Sequence, residues 1–107
     1  MVTITLDELK SLLRQKGDIC LFLTSEARKS RIKEIFDVEV VAPELEKVFT
    51  NFRFLRINVD GVEKDIENLL SVSSVPALLI LKDGEVIKVL VGIKAWNEYI
   101  EEFKSCL

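Results

Sequence analysis

Histidine is absent from the 107 residues, and its absence removes the commonest general base near neutral pH and the commonest metal ligand. Only two cysteines occur, Cys20 and Cys106, and their separation fits neither a paired redox motif nor a zinc-binding spacing. No pair of carboxylates stands out for acid–base chemistry. We therefore expect no metal, no cofactor and no catalytic residue.

Long apolar runs are also missing, so no stretch of the sequence reaches the length of a membrane span. Met1 to Leu6 lacks the basic start and long apolar core of a signal peptide, which predicts a cytoplasmic protein. The formal net charge of -3 argues against attraction of the whole surface to nucleic acid or membrane. At 107 residues the chain is expected to form one domain, residues 1–107.

What is present is clearest between Ser71 and Gly92. Ala77–Leu81 is an unbroken apolar run, which is typical of a strand buried on both faces. Asp83-Gly84 favours a two-residue type I′ turn, and Glu85–Val91 returns as the antiparallel partner. Pro76 stands at the entrance of the first strand, where a missing N–H costs the ladder least.

The remaining elements follow from apolar periodicity. Three more strands are predicted, at Val2–Thr5, Ile19–Leu23 and Phe52–Val59. Helices are predicted from Asp7, over most of Glu26–Phe49, over Val62–Leu70 with Ile66, Leu69 and Leu70 inward, and around a final core stripe of Trp96, Tyr99, Ile100 and Phe103. The order β-α-β-α-β-α-β-β-α predicts an α/β protein with a mixed five-stranded sheet.

The long helical region carries two apolar stripes and a proline. Ser25 is the predicted N-cap of this region. The stripes are Ile32, Ile35 and Phe36, followed by Leu45, Val48 and Phe49. Because Pro43 does not fit inside a regular helix, we expect either two helices or one helix bent between about Asp37 and Pro43.

The order Val-Pro, apolar strand, Lys-Asp-Gly, return strand and Gly resembles the second half of a thioredoxin. The resemblance implies a thioredoxin-like three-layer sandwich over nearly the whole chain, with strand order first, third, second, fourth, fifth. It also implies a cis bond between Val75 and Pro76. In this family the residue before the proline offers its backbone to bound peptide, which here implies Val75.

The thioredoxin active site is missing from this resemblance. Thioredoxins carry Cys-Gly-Pro-Cys after the strand that matches Ile19–Leu23, and aligning on Phe22 places Ala27-Arg28-Lys29-Ser30 there. The tryptophan before the motif is replaced by Glu26, and the buried aspartate of the central strand by Leu21. Residues Lys29–Val40 resemble an insertion, because the Pro43 kink segment lies about two helical turns further from the motif. Dithiol exchange at this position is not expected.

The segment Arg28–Lys33 contains four cations, Arg28, Lys29, Arg31 and Lys33. If Ser25 caps the helix, they lie near its positive end, where the dipole disfavours them. One interpretation is a docking surface for an acidic partner, a phosphate or a nucleic acid. The other is a solvated helix face, relieved by the pairs Glu26–Lys29 and Lys33–Asp37.

The first functional hypothesis is a redox-inactive thioredoxin-like module that binds a protein or extended peptide. Its binding residues are predicted to be Ala27, Arg28, Lys29, Ser30, Val75 and Pro76. An alternative is a thiol oxidoreductase that works through a single cysteine, Cys20 or Cys106, although Cys20 also fits a buried core position. A further alternative is phosphate or nucleic-acid binding by the Arg28–Lys33 segment. No membrane partner is expected, and a homodimer is left open.

Overall fold

The computed structural model describes residues 1–107 and contains one five-stranded sheet with four helices. The strands are β1 Val2–Thr3, β2 Asp18–Thr24, β3 Arg53–Asn58, β4 Ala77–Lys82 and β5 Glu85–Val91. The helices are α1 Leu6–Leu12, α2 Glu34–Val48, α3 Glu63–Leu70 and α4 Trp96–Lys104. The strand order is β1-β3-β2-β4-β5, with β1, β3 and β2 parallel and with β4 and β5 antiparallel to their neighbours. The predicted fold class and strand order are confirmed.

Helices cover the sheet on both faces, which makes three layers and two cores. The core under α1 and α3 is built from aliphatic side chains, including Leu21 and Leu23 of β2. The core under α2 and α4 contains six aromatic side chains, and Cys20 and Phe22 of β2 point into it. The central strand is therefore buried on both faces, which explains its continuous apolar run. None of the four helices is long and apolar enough to cross a membrane.

The hairpin between β4 and β5 has the turn that the sequence predicted. Asp83 and Gly84 both have positive φ, 51° and 82°, as a type I′ turn requires. The turn is also fixed to the loop before β2, because the Asp83 N–H donates to the Gly17 carbonyl and the Gly17 N–H donates to Asp83 Oδ1. A bulge between Ile80 and Leu81 leaves Ile87 of β5 without a direct partner in β4.

The first helix also begins one residue earlier than predicted, and the first strand is shorter. β1 ends at Thr3, whereas the strand was expected to reach Thr5. The Thr5 hydroxyl accepts a hydrogen bond from the Glu8 N–H, and the Glu8 carboxylate accepts one from the Thr5 N–H. This reciprocal capping box starts α1 and takes Thr5 out of the sheet.

The prediction of helix from Glu26 is wrong. Residues 26–33 form a series of turns, and α2 begins only at Glu34. Ser25 does act as a cap, but its hydroxyl accepts from the Arg28 N–H and closes a turn instead of starting α2. The N-cap position of α2 is Lys33, whose side chain makes no capping hydrogen bond. We call Glu26–Lys33 the site loop.

Of the two expected forms, the pair of helices is absent, because α2 is one helix that continues through Pro43. Pro43 lacks the N–H that would bond the carbonyl one turn earlier, which normally weakens a helix. Here Val38 and Ala42 before it and Leu45 after it are fully buried on the sheet. Packing on both sides of the proline therefore holds the helix together.

Four apolar side chains that were predicted to face the core are exposed. Phe36 and Val48 of α2, Leu69 of α3 and Trp96 of α4 are all exposed. The buried row of α2 runs through Ile35, Val38, Ala42 and Leu45, so the helix is rotated relative to the predicted stripes. Trp96 lies in the first turn of α4, before Tyr99 and Phe103 reach the core.

Candidate functional site

The carboxyl ends of β2 and β3 hold the site loop through side chains. The Ser25 hydroxyl donates to Asp60 Oδ1 at 2.5 Å, and the Ala27 N–H donates to Asp60 Oδ2 at 2.8 Å. The Glu26 N–H donates to Asn58 Oδ1 at 3.1 Å. Parallel strands deliver Ser25, Asn58 and Asp60 to the same edge of the sheet, so the beginning of the loop is fixed there.

Asp60 is the electrostatic centre of this attachment. The hydrogen bond from Ser25 and the backbone N–H of Ala27 hold the pKa of the Asp60 carboxyl below its usual value. Both bonds favour the charged form, because an ionised carboxylate accepts and does not donate. Arg28 adds its charge nearby, and its backbone N–H and Nε both donate to the Ser25 hydroxyl at 3.2 and 3.3 Å.

Lys29 is bound within the protein and is not a free cation. Its Nζ lies 2.8 Å from Glu39 Oε2 in α2 and 5.0 Å from the centre of the Phe36 ring. The hydrogen bond to Glu39 raises the pKa of Lys29. Arg56 of β3 also approaches Glu39, at 3.9 Å. The middle of the site loop is therefore fastened to α2 through Lys29.

The two ion pairs predicted from the sequence have different outcomes. Lys29 Nζ lies 4.0 Å from Glu26 Oε1, so this pair exists at the limit of contact. The side chains of Lys33 and Asp37 form no ion pair or hydrogen bond; only the backbone N–H of Asp37 bonds the Lys33 carbonyl. The stronger partner of Lys29, Glu39, lies ten residues away, which local helix spacing does not predict. The region that resembled an insertion is thus partly the site loop and partly the first turns of α2.

Val75 and Pro76 lie where β4 enters the sheet. Ala77, the first residue of β4, pairs with Leu23 of β2, so this entry is at the same end of the sheet as the site loop. The peptide bond between Val75 and Pro76 is cis. The Pro76 carbonyl accepts from the Gly92 N–H at 2.8 Å. From Val72 to Val75, no backbone N–H or carbonyl makes a hydrogen bond within the chain.

A third segment, Gly92–Lys94, reaches this end after β5. The Ile93 N–H donates to Glu34 Oε2 at 2.7 Å, which ties the segment to the first residue of α2. The Tyr99 hydroxyl donates to the Gly92 carbonyl and accepts from the Lys94 N–H. Burial raises the pKa of Tyr99. The segment is thereby held against both α2 and α4.

The six predicted binding residues lie at one end of the sheet but in two separate segments. No hydrogen bond joins Ala27–Ser30 to Val75 or Pro76. Ala27 and Ser30 are exposed, whereas Arg28, Lys29 and Val75 are half-buried and Pro76 is buried. Sequence reasoning missed the supporting residues Asn58, Asp60 and Glu34. The available signal was the pair of polar residues Asn58 and Asp60 at the end of the predicted strand Phe52–Val59.

Neither of the two thiols is exposed at this end of the sheet. Cys20 is fully buried in the aromatic core, and burial raises the pKa of its thiol far above the usual range. Cys106 is half-buried after the last turn of α4, with its Sγ 3.8 Å from Ser105 Oγ. No group of three or more possible ligand side chains is arranged to hold a metal ion.

Known proteins are similar to this chain in sequence. The family model "Hydrogenase-1 expression protein HyaE" matches residues 1–99. A protein of Aquifex aeolicus is 36% identical over 101 residues, which cover 94% of this chain and 85% of that protein. The hydrogenase expression/formation protein HoxO of Cupriavidus necator is 34% identical over 105 residues, and HupG of Rhodobacter capsulatus is 30% identical over 93 residues. The matches cover 94% and 87% of this chain but only 63% of HoxO and 66% of HupG.

Solved structures agree on the fold. Thioredoxin f2 of Chlamydomonas reinhardtii superposes with a TM-score of 0.78 at 13% sequence identity, covering 98% of this chain and 94% of that one. Identity this low establishes the fold alone. The match of the family model over residues 1–99 is more specific. The chain belongs to the HyaE family of hydrogenase expression proteins and has a thioredoxin-like fold.

Proposed function

We propose that this protein is a redox-inactive, thioredoxin-like binding module that holds an extended segment of another protein during the expression or formation of a hydrogenase. The binding site consists of Val75-Pro76 and Ala27–Ser30, and the protein acts in the cytoplasm. The hydrogenase context comes from the names of the HyaE family and of HoxO. The partner is a protein of the hydrogenase maturation process.

The observation that carries the proposal is the unpaired backbone of Val72–Val75. The segment is anchored at both ends, by the left-handed Ser71 that closes α3 and by the Pro76 carbonyl that accepts from Gly92. Between these anchors the N–H and carbonyl groups of four consecutive residues have no hydrogen-bond partner within the chain. An extended peptide can pair with such a segment through backbone hydrogen bonds, as peptides pair with an exposed sheet edge.

The site loop lies at the same end of the sheet as Val75, and its rigidity also supports the proposal. Its first residues are fixed to Asp60, and Lys29 is fixed to Glu39. The loop is therefore preorganised, and a bound segment does not have to supply the free energy of ordering it. Ala27 and Ser30 are exposed and small, so a partner can approach the loop closely.

The thiol alternative has little structural support. A nucleophilic thiol is ordinarily accessible and has a lowered pKa. Cys20 has neither property, because it is fully buried and its pKa is raised. Cys106 follows α4 and packs against the aromatic core, whereas Val75 packs against the aliphatic core. A single thiol there therefore lies on the opposite face of the sheet from Val75.

The alternative of phosphate or nucleic-acid binding is weakened, because two of the four cations on which it depends have partners within the chain. Lys29 is neutralised by Glu39, and Arg28 is turned towards Ser25. Of the four cations only Arg31 and Lys33 remain exposed without a partner, and the net charge of the chain is -3. Two exposed cations are too few for the multiple phosphate contacts on which nucleic-acid affinity depends.

The test is complementation in a hydrogenase-producing host whose own gene of this family is deleted. Val75→Asp places a charge where the partner backbone must approach, and we expect it to reduce hydrogenase activity in cell extracts at least about tenfold, the effect of 1.4 kcal/mol of lost binding. Val75→Thr keeps the shape and the backbone and is expected to complement. Val48→Asp, the same change on the exposed face of α2, is the matched control.

Two measurements keep the result interpretable. Thermal unfolding of each purified variant separates loss of binding from loss of fold, since Val75 packs partly against the aliphatic core. Full complementation by a folded Val75→Asp chain would contradict the proposed site. Cys106→Ser is expected to complement fully, and its failure would favour the thiol alternative.

A further inference from the structure

The outer edge of β5 is an unpaired strand edge on the surface. β5 is the last strand of the sheet and pairs only with β4. Its seven residues contain two charges, Glu85 and Lys88, and five aliphatic side chains. Proteins ordinarily protect such an edge with charges, proline or a covering element, because its free N–H and carbonyl groups can pair with another chain.

The exposed aliphatic side chains of β5 alternate along the strand. Ile87, Val89 and Val91 retain 42%, 37% and 46% of their surface in contact with solvent. Val89 and Val91 pair with Leu79 and Ala77, which belong to the aliphatic core, so both point to the α3 side of the sheet. Ile87 follows Val86 in the bulge, and two bulge residues oppose one residue of the neighbouring strand.

An apolar groove runs beside this row. A cavity of about 440 Å³ lies between α3 and β5, and its lining includes Leu69, Val72, Val86 and Val89. Leu69 is itself 37% exposed. The row and the groove together form one apolar surface, which we call the β5 edge: Leu69, Ile87, Val89 and Val91.

We propose that the β5 edge binds a second copy of this chain, with the two β5 strands antiparallel and a twofold axis at Val89. This pairing places Val89 opposite Val89 of the second copy, and Ile87 opposite Val91 in both directions. The exposed aliphatic positions are symmetric about Val89, so the surface is complementary to itself, as a twofold interface requires. The axis lies beyond the bulge, where β5 pairs regularly with β4 from Lys88 to Val91.

The charges at the two ends of β5 fit the same arrangement. Glu85 and Lys94 form no ion pair or hydrogen bond through their side chains within the chain. The twofold axis brings the Val91 end of each β5 strand to the Glu85 end of the other. Lys94 follows the Val91 end, beyond the bend at Gly92, and its flexible side chain pairs with Glu85 of the other copy in this arrangement. Lys88 does not oppose the pairing, since its Nζ is already 2.6 Å from Glu102 Oε2.

A second copy fits better than an unrelated strand because both the apolar row and the end charges are complementary under one symmetry operation. Two paired strands with a narrow apolar flank form a smaller interface than the roughly 1,200–2,000 Å² of stable complexes. We therefore infer a weak dimer that forms and dissociates with concentration. The interface uses the side chains of α3 and β5, whereas the partner-binding site uses the backbone of Val72–Val75; the two surfaces border each other at Val72, which lines the groove.

Sedimentation velocity over a range of concentrations tests the dimer on the full chain. The wild type is expected to shift from monomer to dimer between about 1 and 500 μM, a range typical of small interfaces. Val89→Lys places two like charges directly opposite each other, and we expect it to raise the dimer dissociation constant at least about tenfold. Val40→Lys is the control, because Val40 is 71% exposed on α2, outside the interface.

Two further measurements report the register and remain decisive if Val89→Lys does not fold. Glu85→Lys is expected to weaken the dimer, and adding Lys94→Glu is expected to restore it. In a Cys106→Ser background, Val89→Cys is expected to cross-link two chains when oxidised glutathione accepts the two electrons, because directly opposed Cβ atoms lie about 4.5–5.5 Å apart. Val91→Cys is the control, since its two copies are offset by four residues, about 13 Å along the strands.

Several outcomes would overturn the proposal. One is a wild-type chain that stays monomeric throughout the concentration range. Another is a dimer that Val89→Lys and the charge reversals leave unchanged. A third is a monomer whose β5 edge binds an apolar peptide, with loss of that binding in Val89→Lys, which would identify a foreign strand as the occupant.

Discussion

The hairpin turn at Asp83-Gly84 and the site loop are held by the same chemistry but are specified in different ways. In each, an aspartate oxygen accepts a backbone N–H at 2.8 Å, from Gly17 in the first and from Ala27 in the second. In the hairpin the aspartate belongs to the turn, and positive φ at two adjacent residues sets the shape. In the site loop the aspartate is Asp60, at the end of another strand. The hairpin is therefore encoded locally and the site loop by distant residues.

Replacing Gly84 in the hairpin turn is expected to cause the largest loss of stability. A Cβ at Gly84 would lie 2.1 Å from the Leu13 carbonyl oxygen, and φ is +82°. We expect Gly84→Ala to cost about 3 kcal/mol or more, since backbone strain and a backbone clash add. The melting temperature should fall by about 12 °C or more, at roughly 4–8 °C per kcal/mol.

Gly61 offers a matched control for Gly84. Its φ of +79° is nearly the same, but nothing lies within 4 Å of its added Cβ. Gly61→Ala is therefore expected to show the conformational cost alone, about 1 kcal/mol. Equal losses for the two variants in thermal unfolding would mean that contact with the Leu13 backbone contributes nothing.

The difference between structure encoded locally and structure encoded by distant residues explains which predictions from the sequence succeeded. The strands Ile19–Leu23 and Ala77–Leu81 are continuous apolar runs, and the turn between β4 and β5 has a two-residue signature, so local pattern was sufficient for both. The start of α2 was missed by eight residues, from Glu26 to Glu34. Its position depends on Ser25, Asn58 and Asp60, whose contact exists only after β2 and β3 pair.

The site itself was predictable only in outline. The entry of β4 at Pro76 followed from the apolar run after the proline, and the predicted role of Val75 from the resemblance to thioredoxins, whereas neither predicted the attachments of the site loop. Lys29 was paired with Glu26 by helix spacing, but its closer partner is Glu39 on α2. Trp96 fitted the apolar periodicity of α4 and is nevertheless exposed, because the first turn of the helix projects beyond the core. Periodicity identifies a helix better than it identifies which residues face inward.

Removing the Asp60 carboxylate tests the attachment of the site loop. The loss of stability should lie between those of Gly84→Ala and Lys29→Met. Asp60→Ala removes the acceptor of the buried Ser25 hydroxyl and of the Ala27 N–H. We expect lower thermal stability than the wild type and loss of amide-exchange protection at Ala27, while the hairpin turn keeps its protection. Asp65→Ala, on the exposed surface of α3, removes the same charge without these contacts and is the control.

The pH dependence of the Asp60 variant has a defined sign. The folded pKa of Asp60 lies below its ordinary value of 3.8, so its contribution is complete above that value. It is lost as the pH falls through the lowered folded pKa. Urea unfolding at descending pH should therefore show the wild type and Asp60→Ala converging in acid. A constant difference down to the lowest pH would mean that the charge on Asp60 plays no part.

The smallest effect is expected from Lys29→Met, in the middle of the site loop. The methionine keeps an apolar stem near Phe36 but loses the ion pair with Glu39. Partly exposed ion pairs contribute little to global stability, because ordering long side chains and salt screening offset the attraction. We expect a melting temperature close to that of the wild type, together with faster amide exchange at Arg31 and Ile32.

Lys47→Met is the matched control, because Lys47 makes an exposed ion pair with Glu44 inside α2 and touches no part of the loop. It should leave exchange in the site loop unchanged. If Lys29→Met instead lowers the melting temperature as much as Asp60→Ala, the two attachments of the loop are not independent. The site loop would then unfold together with β2, β3 and α2, and distant contacts would make it as rigid as the local turn chemistry makes the hairpin.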